Sequence, residues 1–255
     1  MARRLTFAAV IIFALLAAGG ALAQGGETVA QPEQVLMLEE FGGEWSFDEP
    51  DAAHGWWAEG GVRTWVEDGR LYMDTDPEQE GGAPGNCATV WCPQQFAGDI
   101  SIEFDAHVVR SSTGVNNINF FFHYSDPAGM PLYETREQRA DGAYAKYHVL
   151  SGNIITYLRD VKAGPEGANL DDLPARVRIR HCPGFELVSE TYAYHCNQGV
   201  TYHCQIVRQG SRIAFSVDGN LLLEAEDSEA PSGGLIGLRT FRTCLWWDNI
   251  KVTQL

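Results

Sequence analysis

Apolar and polar residues alternate with a period of two along most of the chain. From Ile100 to Val108, Ile100, Ile102, Phe104, Ala106 and Val108 share one parity, and Ser101, Glu103, Asp105 and His107 share the other. Successive side chains of a strand point to opposite faces, so the apolar set forms a core face and the polar set borders solvent or a cleft. In the run 117–124 the same rule buries Ile118, Phe120 and Phe122. It turns Asn117, Asn119, Phe121 and His123 outward. Polar side chains with one aromatic among them are what a sugar-binding sheet face displays. Over 143–150 the alternation sends Ala145, Tyr147 and Val149 inward and leaves Tyr144, Lys146 and His148 on the open face.

This pattern predicts strands over 63–66, 70–74, 100–109, 117–124, 143–150, 154–159, 176–181, 202–208, 212–217, 221–225, 235–240 and 246–253. Gln209-Gly210 and Asp218-Gly219-Asn220 separate alternating runs in the way hairpin turns do. No segment keeps a helical period over eleven or more residues. The expectation is an all-β protein, an antiparallel two-sheet β-sandwich over residues 35–255, with no helix longer than two or three turns. Trp246 and Trp247 must then point to opposite faces.

Residues 1–23 carry the three parts of an export signal: Arg3-Arg4, an apolar run from Leu5 to Leu16, and small residues ending at Ala23. Residues 24–34 read as a polar lead-in. A secreted or periplasmic protein follows, with no membrane attachment after cleavage. The whole sequence holds 18 basic and 34 acidic residues. Cleavage removes two of the 18, Arg3 and Arg4, and leaves a net charge of −18. Such a surface excludes nucleic acid and anionic membranes as partners. The basic residues are uneven, however: Arg136, Arg139, Lys146, Arg159, Lys162, Arg176, Arg178 and Arg180 fall within 45 positions. A local cationic patch on an acidic protein is the alternative to ordinary surface ion pairing.

Six cysteines in a chain bound for an oxidising compartment imply disulfides. The expected pairs are Cys87 with Cys92 and Cys182 with Cys196, which flank short loops, and Cys204 with Cys244, which would join neighbouring strands. A zinc site on Cys182, Cys196 and Cys204 lacks the close C-x2-C ligand pairs of structural zinc.

The order of strands and turns from Val200 to Val252 resembles the closing hairpins of the concanavalin A-like lectin/glucanase fold, a jelly roll. With 41–45, 117–126 and 143–153 it looks like a family of bacterial secreted proteins of that fold. The family is associated with pectin and other plant or algal polysaccharide utilisation. The resemblance implies a polysaccharide or oligosaccharide partner and no agreed catalytic motif. Related sandwiches hold calcium where first and last strands meet, and Gly43, Glu44 and Asp248 are the local oxygen donors. A structural calcium is the expected ion, and no cofactor is required for chemistry.

Two chemistries compete with binding alone. A retaining glycosidase needs two carboxyls about 5 to 5.5 Å apart. Glu103 and Asp105 fill the first two places of the laminarinase-like acid pattern, but the third acid is missing. A polysaccharide lyase needs a group to neutralise a uronate carboxylate, a base for the C5 proton and an acid for the leaving oxygen. His123 or His148 would be the base and Tyr144 the acid, with Arg136, Lys146, Asn117, Asn119 and Arg180 as substrate binders. Glu103, Asp105 and His107 are further candidate contacts. Without catalysis, Trp56, Trp57, Trp65 and Trp91 would offer flat faces to sugar rings. The sequence therefore points to a protein that binds, and in the stronger reading cleaves by β-elimination, an acidic glycan.

Overall fold

The computed structural model describes residues 33–47, 55–78, 85–159 and 166–255. The signal segment and most of the 24–34 lead-in lie outside the described residues. Those described form sixteen strands. In chain order they are β1 (Gln34–Glu39), β2 (Trp57–Gly60), β3 (Arg63–Glu67), β4 (Arg70–Asp74), β5 (Cys87–Trp91), β6 (Phe96–Ala97), β7 (Ile100–Arg110) and β8 (Ile118–Ser125). Then come β9 (Ser151–Leu158), β10 (Arg176–Cys182), β11 (Glu186–Thr191), β12 (Thr201–Gln209), β13 (Arg212–Val217), β14 (Asn220–Glu226), β15 (Gly233–Phe241) and β16 (Cys244–Gln254). Among the described residues no helix is long and apolar enough to cross a membrane.

Two antiparallel sheets face each other, as the alternation requires. The first runs β14-β13-β12-β7-β16-β4-β3, with β1 also paired to β16. The second runs β11-β10-β9-β8-β15-β5-β2, with β6 also paired to β15. Ile100, Ile102, Phe104, Ala106 and Val108 are all sealed in the core between them. Phe104 of the first sheet stacks on Phe120 of the second at 4.7 Å, and Trp247 leans on Phe104 at 5.2 Å. Trp247 is fully buried while Trp246 faces outward, the opposite orientation that adjacent strand positions impose.

The segment 143–150 departs from the expected strand. Tyr144–Tyr147 is a 3-10 turn within a strap, residues 126–150, that packs onto the outer face of the second sheet. Side chains three apart eclipse in such a turn. Tyr147 and Leu150 therefore share a buried face, whereas Val149, assigned to the core by alternation, is 68% exposed. Leu132, Tyr147 and Leu150 of the strap join Trp57, Trp91, Phe121, Tyr124 and Ile154 of the sheet in a second apolar cluster. Gly60 donates its N–H to Ala140 O at 3.1 Å at one end of the strap, and Gly184 donates to His148 O at 2.9 Å at the other. Between these ends Gly142, with φ of 65°, sits so close to β5 that a Cβ there would stand 2.5 Å from the Cys87 carbonyl oxygen.

His123 is also displaced from its expected face. A register shift separates Phe122 from Ser125 in the β8–β9 pair, and His123 takes φ of 53°. The irregularity breaks the two-residue period, and the imidazole ends at 0% exposure with Nδ1 3.1 Å from Pro231 O.

All six cysteines are buried thiols. The expected pairings conflict with the ladder. Cys87 and Cys92 are five residues apart along β5 and its extension, roughly 16 Å at strand rise, against a Cα separation of about 7 Å at most for a disulfide. Cys182 belongs to the cluster under the strap and Cys196 to the core between the sheets. Cys204 lies opposite Phe104 and Cys244 opposite Arg110, so β7 and six residues of register separate them.

Candidate functional site

One register row crosses the outer face of the second sheet. Glu190, Arg178, Thr156, Asn119, Arg239, Thr89 and Glu59 are successive partners from β11 through β10, β9, β8, β15 and β5 to β2. Each has outward parity, so seven polar side chains line up where the opposite parity is apolar core.

The two ends of this row are fully engaged. Glu59, 2% exposed, accepts from Arg139 Nη2 at 2.8 Å, Tyr147 OH at 2.8 Å, Trp91 Nε1 at 3.0 Å and Trp57 Nε1 at 3.2 Å. Arg139 and Tyr147 come from the strap, so this carboxylate fastens the strap to the sheet. Glu190 accepts from Arg176 Nη2 at 2.8 Å and from Tyr192 OH at 3.0 Å. Burial pushes its carboxyl up, but the bonds from Arg176 and Tyr192 outweigh that and hold it below the ordinary glutamate range.

The middle of the row is different. Arg239 donates to Thr89 Oγ1 at 2.7 Å and to Gly142 O at 3.0 Å, with its guanidinium over the rings of Tyr144 at 4.6 Å and Tyr147 at 4.7 Å. Arg178 has no such partners, and its Nε is buried and unbonded. Burial, with Arg176 and Arg180 on either side, pushes its pKa down to about 10, which still leaves it a cation at neutral pH. Above the row lies a pocket of about 450 Å³ walled by Asn117, Asn119, Thr156, Arg178, Arg239 and Tyr144 together with Val115, Leu158 and Phe241. Asn117 Oδ1, Asn119 Oδ1, Thr156 Oγ1 and Tyr144 OH are all buried without a partner. Leaving such a group unsatisfied costs about 1–3 kcal/mol, and their convergence on one cavity leaves four hydrogen-bonding groups for whatever fills it.

The outer face of the first sheet is saturated by contrast. Glu103 accepts from Lys251 Nζ at 3.3 Å, and Asp105 pairs with His203 Nδ1 at 2.8 Å and with Asn249 Nδ2 at 2.8 Å. His107 bonds Thr201 Oγ1 at 2.9 Å and stacks on Trp246 at 5.0 Å. Trp65, Tyr72, Trp246, His107 and Thr201 form a row of their own across β3, β4, β16, β7 and β12.

The sequence-predicted residues thus divide between two faces. Asn117, Asn119 and Tyr144 reach the pocket. His148 stands behind Tyr144 at 4.7 Å between ring centroids, stacked on Phe185 at 3.8 Å, with Nε2 unpartnered. Glu103, Asp105 and His107 lie on the opposite side of the sandwich, and His123 is sealed away from both faces, which removes it from proton transfer. Lys146 pairs with Asp141 at 2.8 Å. Arg136 lies over Tyr133 and donates to its carbonyl, while Arg180 lies over Phe185 and donates to its carbonyl. None of these three cations lines the pocket. Trp56, Trp57 and Trp91 are buried, and Trp65 is half-buried, with Tyr72 at 4.9 Å and Arg63 at 4.3 Å from its ring, so three of the four expected platforms are closed.

The expected calcium donors fall on the loop after β1 and on its partner strand β16. Asp248 Oδ1 accepts the Asn249 N–H at 2.7 Å, and Gly43 and Glu44 are exposed on the loop after β1. Among the described residues no group of three or more His, Cys, Asp or Glu side chains is placed to hold a metal ion.

A family profile matches residues 44–244, which takes in the whole second sheet, the strap and the pocket. The chain belongs to the family described as Domain of unknown function (DUF1961). No curated protein matches the chain. A Bacillus subtilis protein of unknown function with a galectin-like fold superposes with a TM-score of 0.65 at 18% identity, over 87% of this chain and 96% of that one. The endo-β-1,3-glucanase from Pyrococcus furiosus gives 0.53 at 12% identity, over 87% and 94%. The carbohydrate-binding module CBM66 from Bacillus subtilis gives 0.52 at 14% identity, over 77% and 94%. At these identities the DUF1961 chain shares their sandwich fold.

Arg178, Arg239, Thr156 and Glu59 escaped the sequence reading as site residues. The signal for Arg178 was present, since Arg176, Arg178 and Arg180 share the outward parity of a predicted strand. Choosing among them requires their partners. Arg239 is one outward cation in an otherwise apolar and glycine-rich strand, and Glu59 lies in a strand too short to alternate visibly.

Proposed function

We propose that this chain is an exported carbohydrate-active protein that binds an acidic, uronate-containing glycan in the pocket over the second sheet. One observation carries the reading: Arg178 is a cation with a buried, unbonded Nε, set in a row with the orphan acceptors of Thr156 and Asn119. A planar guanidinium matches a carboxylate fork, and neighbouring amide and hydroxyl groups match sugar hydroxyls. Because the mature chain carries a net charge of −18, an anionic ligand needs such a focused cation to approach at all. The sandwich architecture shared with a carbohydrate-binding module and a glucanase supports the same direction.

The pocket also favours β-elimination over hydrolysis. With the uronate carboxylate neutralised at Arg178, the C5 proton becomes acidic enough for a base to remove. The C4–O bond then breaks, a C4=C5 double bond forms, and the leaving oxygen takes a proton. The unpartnered Tyr144 hydroxyl at the pocket wall supports giving it the acid role. His148 stands behind Tyr144 and outside the pocket lining, so a base role for it runs through Tyr144; burial first, then Arg239 and Arg180, keep its pKa below the usual histidine value, so the ring is neutral and able to accept. Hydrolysis by Glu103 and Asp105 finds less support, because both oxygen pairs are held by Lys251, His203 and Asn249.

Incubating the mature protein with neutral and uronic-acid polysaccharides tests these readings together, with calorimetry for binding, absorbance near 235 nm for the unsaturated product and reducing-end release for hydrolysis. Binding with rising absorbance supports the lyase. Binding with neither product leaves a non-catalytic carbohydrate-binding module. Affinity for neutral glycans alone removes the acidic-glycan reading.

A further inference from the structure

The strap turns the pocket into a blind corner. It crosses the second sheet from Gly60 of β2 to Gly184 in the turn between β10 and β11, and it covers Phe121, Tyr124 and Ile154, so the sheet face is shut on that side of the polar row. Across the strands the row is shut as well. Beyond Asn119 the Gly142 carbonyl accepts from Arg239, and Arg239, Thr89 and Glu59 are all buried. In the other direction the row runs out to half-buried Arg178 and Glu190, the latter on the edge strand β11. Among the described residues the row therefore has one open end. Three strand spacings, about 14 Å, separate the backbones of Arg178 and Arg239, which is room for a few sugar residues.

We infer that the pocket takes the end of an acidic glycan chain and not an interior stretch, with the terminal ring against the Gly142–Tyr144 wall and the chain leaving past Arg178 over β11. The inference rests on the acidic-glycan reading above and adds which part of the polymer is recognised. An interior stretch lying on the row needs an exit on the far side, and there it meets the strap. A terminal ring needs only the one mouth. It also brings a hydroxyl that an interior residue has spent in its linkage, and Asn119 Oδ1 and Tyr144 OH, both buried and unbonded, stand at the closed end to meet it.

Calorimetric titration of the wild-type protein with polygalacturonate and with alginate, each intact and after partial acid hydrolysis, tests this at equal uronate concentration. A chain-end site gives a binding capacity that rises by the same factor as the number of chain ends, counted as reducing ends. Borohydride reduction of the fragments, which opens the reducing-end ring, tells the two ends apart: loss of binding assigns the reducing end, and retention assigns the other. If the protein cleaves, an end-directed reaction releases one small unsaturated product from the first time point while viscosity falls slowly. Capacity that follows the mass of uronate whatever the fragmentation, or an early viscosity collapse with mixed products, overturns end recognition and leaves the acidic-glycan reading standing. No binding to any of the intact or hydrolysed polymers overturns both.

Discussion

Arg178 and Arg239 stand in one cross-strand row with only Thr156 and Asn119 between them, yet Arg239 holds two hydrogen bonds while Arg178 has a buried, unbonded Nε. Arg239 is a structural cation, locked between Thr89, the strap carbonyl of Gly142 and two tyrosine rings. Arg178 is a cation in waiting. Burial and the crowding by Arg176 and Arg180 outweigh the attraction of Tyr144 and Glu190, so it is costly to keep without a function.

Arg178→Ala should therefore weaken acidic-glycan binding by about 10-fold or more, since a hydrogen bond to a charged group contributes roughly 1.5–3 kcal/mol. The salt dependence of binding should fall with it, while the melting temperature stays level or rises as like-charge crowding is relieved. Arg178→Lys should recover only part of the affinity, because the ammonium lacks the fork. Titration calorimetry at two ionic strengths reads all three effects, and an unaltered affinity in Arg178→Ala would move the site elsewhere.

The combined change Glu103→Gln and Asp105→Asn provides the opposite control. These residues occupy the far side of the sandwich in partly exposed pairs, which are worth about 0–1 kcal/mol. Glycan affinity and any 235 nm activity should be unchanged. A loss of reducing-end release in this variant would restore the hydrolase reading.

Glu59→Ala should be among the most destabilising single changes in the chain. Removing one partner of a buried pair leaves an uncompensated charge and costs about 3–5 kcal/mol, here on Arg139 at 3% exposure. Urea denaturation measures the loss. Limited proteolysis should cut first within 126–150, where the strap loses its fastening; initial cleavage elsewhere would show that the strap is held by other contacts.

His123 makes stability fall on the acid side. Burial is the main cause that pushes its pKa down to about 4 from 6.5, so the unfolded chain binds a proton that the folded chain refuses. By linkage the contribution is intact above pH 6.5, declines as the pH drops towards 4, and is gone below that. The lowering corresponds to about 3 kcal/mol. Equilibrium unfolding between pH 7.5 and 4.5 should show this slope in the native chain and a flatter one in His123→Asn. Equal slopes would place the acid sensitivity in other groups.

Thiol titration of the denatured, unreduced protein should find six free thiols. In the native state almost none should react, because all six are buried and burial pushes Cys92 and Cys244 up to about 12. Two or fewer free thiols in the denatured chain would mean a pairing that the present strand register does not accommodate.

Much of the sandwich was legible because a two-residue period is a local property. The parities of β7 and β8 can be read from consecutive letters, and they placed Asn117 and Asn119 correctly. Strand β5 was invisible for a physical reason: Ala88 and Val90 face the main core while Cys87, Thr89 and Trp91 face the strap, so burial on both sides erases the alternation. The strap was misread because Tyr144, Lys146 and His148 mimic alternation, while Tyr147 and Leu150 obey a period of three that shows only once a sheet lies beneath them. His123 failed at a register shift, which one sequence does not announce. Whether an arginine is free or bound cannot be read from its neighbours in the chain. Arg176 and Arg178 differ only in what stands across from them.

The contact of Gly142 with Cys87 gives the pocket an unusual tolerance. Where the strap meets β5, main chain rests on main chain, and even a methyl group at position 142 would lift the strap and draw its carbonyl away from Arg239. The height of the wall that carries Tyr144 is therefore a property of the backbone alone. Outward strap positions such as Arg136, Lys146 and Val149 are free to vary in charge and size, retuning how a polymer approaches, while the chamber it enters keeps its dimensions.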